Sequence, residues 1–84
     1  MAHVTLKLFA SLQNFLPDTA KDNQIIVDWQ PDLTVGRLIN DMRLPEERCH
    51  LVILNGIYVS PHQRPTQKLQ DGDTLAIWPA VAGG

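Results

Sequence analysis

Polar and apolar residues alternate at the start of the chain. Val4, Leu6 and Leu8 fall on one side and His3, Thr5 and Lys7 on the other. That period of two predicts a half-buried strand over residues 3–9, with Phe9 on the polar side. Leu12, Phe15 and Leu16 share one side of a single helical turn within residues 11–16. Residues 17–23 read as a polar loop. The β-branched run Ile25-Ile26-Val27 predicts a second strand over 24–29, paired with the first as an antiparallel hairpin. Thr34 is a candidate helix N-cap, since its hydroxyl can accept from a free amide of the first turn. Val35, Leu38, Ile39 and Met42 follow at i, i+3, i+4, i+7 and form one apolar stripe. Arg37, Asn40, Asp41 and Arg43 lie away from that stripe, Pro45 is expected to end the helix, and residues 45–48 form a solvated connection. Asn55-Gly56 between two apolar runs, 51–54 and 57–59, is the signature of a two-residue type I′ hairpin turn. Residues 60–68 are polar with two prolines, and a turn at 69–73 feeds a last strand over 74–78.

The order strand, strand, helix, strand, strand, strand predicts an α+β domain: a mixed sheet of four or five strands covered by one main helix. The first and last strands are expected side by side at its centre. The domain spans 1–78, and residues 79–84 form a C-terminal tail. With 84 residues the chain has room for one domain, and it is too short for a doubly wound nucleotide-binding fold or an α/β barrel. Its net charge of −2 offers no basic patch for a nucleic-acid backbone. No apolar run approaches the roughly 20 residues of a membrane-spanning helix, and no signal peptide is apparent, so a cytoplasmic protein is expected. The single cysteine, Cys49, excludes an internal disulfide.

No constellation of catalytic residues emerges. His3, His50 and His62 lack metal-ligand spacing, and no metal site is expected. Asp71 and Asp73 flank Gly72 and fit turn chemistry. Glu46 and Glu47 are neighbours that a helix would point apart. Cys49 reads as a small buried side chain rather than an activated thiol. Two features stand apart. Gly83-Gly84 follows the last strand through Pro79-Ala80-Val81-Ala82, and two glycines without Cβ can thread a narrow channel and present an unhindered carboxylate. Phe9, Tyr58 and Trp78 alternate against the core-facing positions of their strands, which predicts an exposed aromatic patch at the root of the tail, suited to docking.

Taken in order, Val4-Thr5-Leu6-Lys7-Leu8-Phe9-Ala10, Thr34-Val35-Gly36-Arg37-Leu38, Leu54-Asn55-Gly56, Asp71-Gly72-Asp73 and Trp78-Pro79-Ala80-Val81-Ala82-Gly83-Gly84 cover essentially the whole chain. This series resembles the ubiquitin-like sulfur carriers, most closely the small subunit of molybdopterin synthase. The final Pro-x-Val-Ala-Gly-Gly is its specific part. The resemblance implies a ubiquitin-like β-grasp fold and a reaction cycle at Gly84. An E1-like adenylating enzyme would activate the Gly84 carboxylate with ATP, and a sulfur donor would convert the acyl-adenylate to a thiocarboxylate. The tail, Gly83 included, would then enter a large synthase subunit or another sulfur-accepting enzyme. Phe9, Tyr58, Trp78, Pro79 and Val81 match positions that contact those partners. The carrier itself would bind no cofactor, because the chemistry belongs to its partners. One departure bears on the pathway: carriers for molybdopterin commonly have an aromatic and two prolines before the valine, whereas this chain has Trp78-Pro79-Ala80.

Three readings follow. The first is a sulfur carrier for molybdopterin, with carriers for cysteine synthesis, tRNA thiolation or thiamine as variants. The second is a ubiquitin-like modifier conjugated to other proteins through Gly84. The third is a β-grasp interaction module with an inert tail.

Overall fold

The structure, a computed structural model, describes residues 2–80. Five strands form one sheet: β1 (His3–Leu8), β2 (Gln24–Asp28), β3 (Leu51–Leu54), β4 (Ile57–Tyr58) and β5 (Thr74–Trp78). One α-helix, α1 (Val35–Asp41), and two 3-10 turns, Ala10–Phe15 and Glu46–Arg48, complete the regular structure. The strand order is β2-β1-β5-β3-β4, with β1 and β5 parallel and the other neighbours antiparallel. The expected mixed sheet and the adjacency of first and last strands are both present. Three strands are one residue shorter than expected, with Phe9, Trp29 and Val59 just outside β1, β2 and β4, while β3 and β5 have the expected bounds.

The alternation in β1 has its anticipated consequence. Val4, Leu6 and Leu8 are fully buried, as are Leu75, Ile77 and Val52 beside them, and Val35, Leu38 and Ile39 of α1 complete the core. Burying one such side chain contributes about 1.5–3 kcal/mol. Trp29 closes the β2 side, its indole N–H donating to the Leu69 carbonyl at 2.6 Å.

The first amides of a helix have no partner within it, and α1 finds three. Val35 N donates to Gln67 O at 2.9 Å and Gly36 N to Arg64 O at 2.7 Å. Arg37 N donates to Thr34 Oγ1 at 3.1 Å, the predicted cap. A Cβ at Gly36 would stand 3.1 Å from that Arg64 oxygen, so glycine lets the segment approach the helix.

The expected stop at Pro45 is corrected. The helix ends at Asp41, and Arg43 turns left-handed at φ 59°. Leu44 N donates to Ile39 O and Arg43 N to Asn40 O. This is a Schellman closure, normally built on glycine. Buried Leu44 and Ile39 supply its hydrophobic contact, which offsets the strain of a non-glycine residue there.

The Asn55-Gly56 turn is as predicted, with φ 49° and 86° and Leu54 paired to Ile57. The loop at 17–23 holds a second such turn that the sequence reading missed. Asp22 and Asn23 have φ 54° and 62° between the bridged residues Lys21 and Gln24.

Candidate functional site

The two faces of the sheet separate core from candidate site. Because Leu8 pairs with Ile77 across the parallel β1–β5 ladder, the next residues, Phe9 and Trp78, come together on the opposite face. Phe9 N donates to Ile77 O at 3.1 Å and holds that register past the end of β1. The two rings stack with centroids 4.3 Å apart and planes 4° from parallel. Both are half-buried, each covering the other's inner surface. Such a pair contributes about 0.5–1.5 kcal/mol beyond its buried area.

Tyr58 is 49% exposed on the same face. It sits opposite Ile53, which sits opposite Ala76 of β5, so two strand spacings, about 10 Å, separate it from β5. Leu51 and Ile53 lie between. The structure thus brings Phe9 and Trp78 into contact and places Tyr58 across an apolar floor from them. Pro79 and Ala80 leave β5 without regular structure. Val81, Gly83 and Gly84 lie outside the described residues.

The other polar candidates sit in structural roles. Asp71 Oδ1 accepts from His3 N at 3.0 Å. The Asp73 carboxylate accepts from Gln70 N and from Asn55 Nδ2, each at 2.8 Å. Asn55 Oδ1 in turn accepts from Thr74 N at 2.9 Å, joining the hairpin to the start of β5. His50, His62, Glu46 and Glu47 are exposed. Among the described residues no group of three or more His, Cys, Asp or Glu stands ready to hold a metal. No helix among them is long and apolar enough to cross a membrane.

Arg64 is the residue that sequence reasoning missed. It lies in the segment read as polar, yet it is only 3% exposed. Its Nη1 donates to Cys49 O at 3.0 Å, while its Nε has no acceptor. Arg64 therefore reaches Cys49 from 15 residues away and adds to Arg48, its sequence neighbour, as a cation near the thiol. Burial nevertheless dominates: it pushes the Cys49 thiol above its ordinary value, the Arg64 guanidinium pulls down, and Glu46 and Glu47 push up again. A thiol held protonated in this way is a poor nucleophile.

The fold so defined is that of the ubiquitin-like β-grasp proteins. Comparison with known proteins takes this further: the model of the ThiS family matches residues 6–84, and the chain belongs to that family. The resemblance to ubiquitin-like sulfur carriers is thereby borne out. Solved structures agree in fold. A protein of Pyrococcus furiosus assigned as molybdopterin converting factor, subunit 1, is 20% identical, with 96% of this chain and 100% of that chain covered and a TM-score of 0.66. SAMP1 of Haloferax volcanii is 27% identical, with 98% and 99% covered and a TM-score of 0.67. The thiamine biosynthesis protein ThiS of Geobacter metallireducens is 19% identical, with 95% and 99% covered and a TM-score of 0.61. No curated protein sequence matches the chain.

Proposed function

We propose that this chain carries sulfur as a thiocarboxylate on Gly84, most directly for molybdopterin synthesis. The observation that carries the reading is the family match, which runs through Gly84 itself. A free carboxylate is a poor electrophile. In this scheme a Gly84 oxygen attacks the α-phosphorus of ATP held by an E1-like activating enzyme, and pyrophosphate leaves. Hydrosulfide, or a donor equivalent to it, then attacks the carbonyl carbon and AMP leaves. The product is a C-terminal thiocarboxylate, whose sulfur a large synthase subunit or another acceptor enzyme transfers onward. The chain's own part is to present the tail and to dock. Docking falls to Phe9, Trp78 and Tyr58 on the outer face, with Pro79 and Val81 at the tail. Gly83 lets the tail pass through a narrow channel.

The test is deletion of Gly84. Sulfur loading by the activating enzyme with ATP is expected to vanish, while the denaturation midpoint stays at that of the full chain, because the core lies within the described residues. Loading at the normal rate without Gly84 would contradict the reading. A second reading keeps the carrier chemistry and changes the acceptor. The alanine in Trp78-Pro79-Ala80 favours it, since the molybdopterin carriers resembled commonly have proline there. Offering the loaded chain to the large synthase subunit with its pterin precursor decides between acceptors.

A further inference from the structure

Arg64 is buried without a carboxylate. Among the described residues both ion pairs belong to Arg37, and the guanidinium of Arg64 has one acceptor, the carbonyl of Cys49. A buried guanidinium with one hydrogen bond and a bare Nε is costly. That cost directs attention to what the single bond holds.

The Cys49 carbonyl and the His50 amide belong to the same peptide group. Its oxygen accepts from Arg64 Nη1 at 3.0 Å, and its N–H donates to Trp78 O at 3.0 Å. Trp78 is the last residue of β5 and the stacking partner of Phe9. One rigid peptide plane therefore links a buried cation to the carbonyl from which the chain departs into Pro79. Hydrogen bonds on the two ends of a peptide polarise it in the same sense, so a charged donor at the oxygen strengthens the amide as a donor. The backbone of Arg64 is fixed as well, since its carbonyl accepts from Gly36 N at 2.7 Å. The anchor thus runs from the first turn of α1 through Arg64 and the 49–50 peptide to Trp78. A cleft of about 480 Å³, lined by Glu46, Glu47, Cys49, His50, Pro61 and Arg64, opens beside it. Solvent therefore has access to this end of β3, and the peptide needs a fixed partner.

We infer that Arg64 is a positioning residue for the root of the tail: it fixes the Cys49–His50 peptide, and through it the Trp78 carbonyl and the docking face. Its effect on activity rests on the sulfur-carrier reading above, whereas the anchor itself does not.

The test is residue-resolved amide hydrogen exchange on the full chain. Arg64→Met keeps the bulk of the stem and removes every donor, the bare Nε included, so the overall unfolding midpoint is expected to stay near that of the parent. The His50 amide is expected to exchange about tenfold faster or more, with the Val52 and Ile77 amides unchanged. Arg64→Lys, which restores a charged donor, should slow His50 again. An unchanged His50 rate, or equal acceleration at all three amides, overturns the proposal. Should Arg64→Met fail to fold, the parent decides. A slowly exchanging Arg64 guanidinium supports the anchor, and one in fast exchange with water overturns it. With the activating enzyme and ATP, Arg64→Met is expected to raise KM for this chain about threefold or more at constant kcat. An unchanged KM overturns the link to docking. If the parent chain is never adenylated, the sulfur-carrier reading fails, and the exchange rates still decide the anchor.

Discussion

On the α1 side of the sheet Leu6, Leu8, Val52, Leu75 and Ile77 are sealed from solvent, whereas on the other side Ile26 stands 60% exposed, Tyr58 49% and Leu51 38%. The same strands supply both faces, one residue apart. The inner face, apart from Ile57 on the edge strand at 71% exposed, buries its apolar groups against a helix whose first amides find partners in Gln67, Arg64 and Thr34. The outer face keeps apolar area in water, which is unfavourable for an isolated domain and useful for one that docks. The difference separates residues whose loss should cost the fold from residues whose loss should cost recognition.

Substitutions can break that separation. The largest effect is expected from Leu75→Ala on the inner face, a loss of about 2–5 kcal/mol, read from urea denaturation. A loss under about 1 kcal/mol would mean the inner face is not the folding core. Trp78→Ala on the outer face should be milder for stability, about 1 kcal/mol from the lost stack, and severe for docking. A weakening of activating-enzyme binding by about 2 kcal/mol or more is expected by titration calorimetry. The reverse ranking would show the stack to be structural.

The pH dependence comes next. Burial holds the Cys49 thiol protonated above its ordinary value of about 9. The unfolded chain releases that proton first, so the contribution is fully present below pH 9 and is lost as pH rises beyond it. Stability of the parent chain should therefore fall between pH 9 and the raised folded value more steeply than that of Cys49→Ala. Parallel curves would remove burial as the controlling factor. Smallest is Tyr58→Ala, expected to shift stability within about 0.5 kcal/mol while still weakening docking. Unchanged docking would shrink the functional face to the Phe9–Trp78 pair.

The legible parts of this molecule were local. Alternation through Val4, Leu6 and Leu8 gave β1 its buried face. Thr34 announced a helix start that Arg37 N confirms, and Asn55-Gly56 announced a turn. The outward setting of Phe9, Tyr58 and Trp78 also follows from counting by two. What stayed hidden depends on contacts distant in sequence or on unusual residues. The helix stop at Arg43 uses a left-handed non-glycine residue, stabilised by Leu44 against Ile39, and carries no composition signal. The adjacency of the first and last strands was expected, but the Phe9–Trp78 stack also needs their parallel register, Leu8 opposite Ile77. Arg64 sits in a run of polar residues, and nothing local says that its guanidinium is drawn inward to a carbonyl 15 positions away.

The central claim is that Gly84 becomes a thiocarboxylate, and intact mass spectrometry of the chain tests it most directly. The full chain, untagged at its C-terminus, is incubated with its activating enzyme, ATP and a sulfur donor. The account predicts a species heavier by one oxygen-to-sulfur exchange, mapped to Gly84 and absent when ATP is withheld. A chain that keeps its unmodified mass under those conditions would contradict the account and leave the outer face as a docking surface with an inert tail.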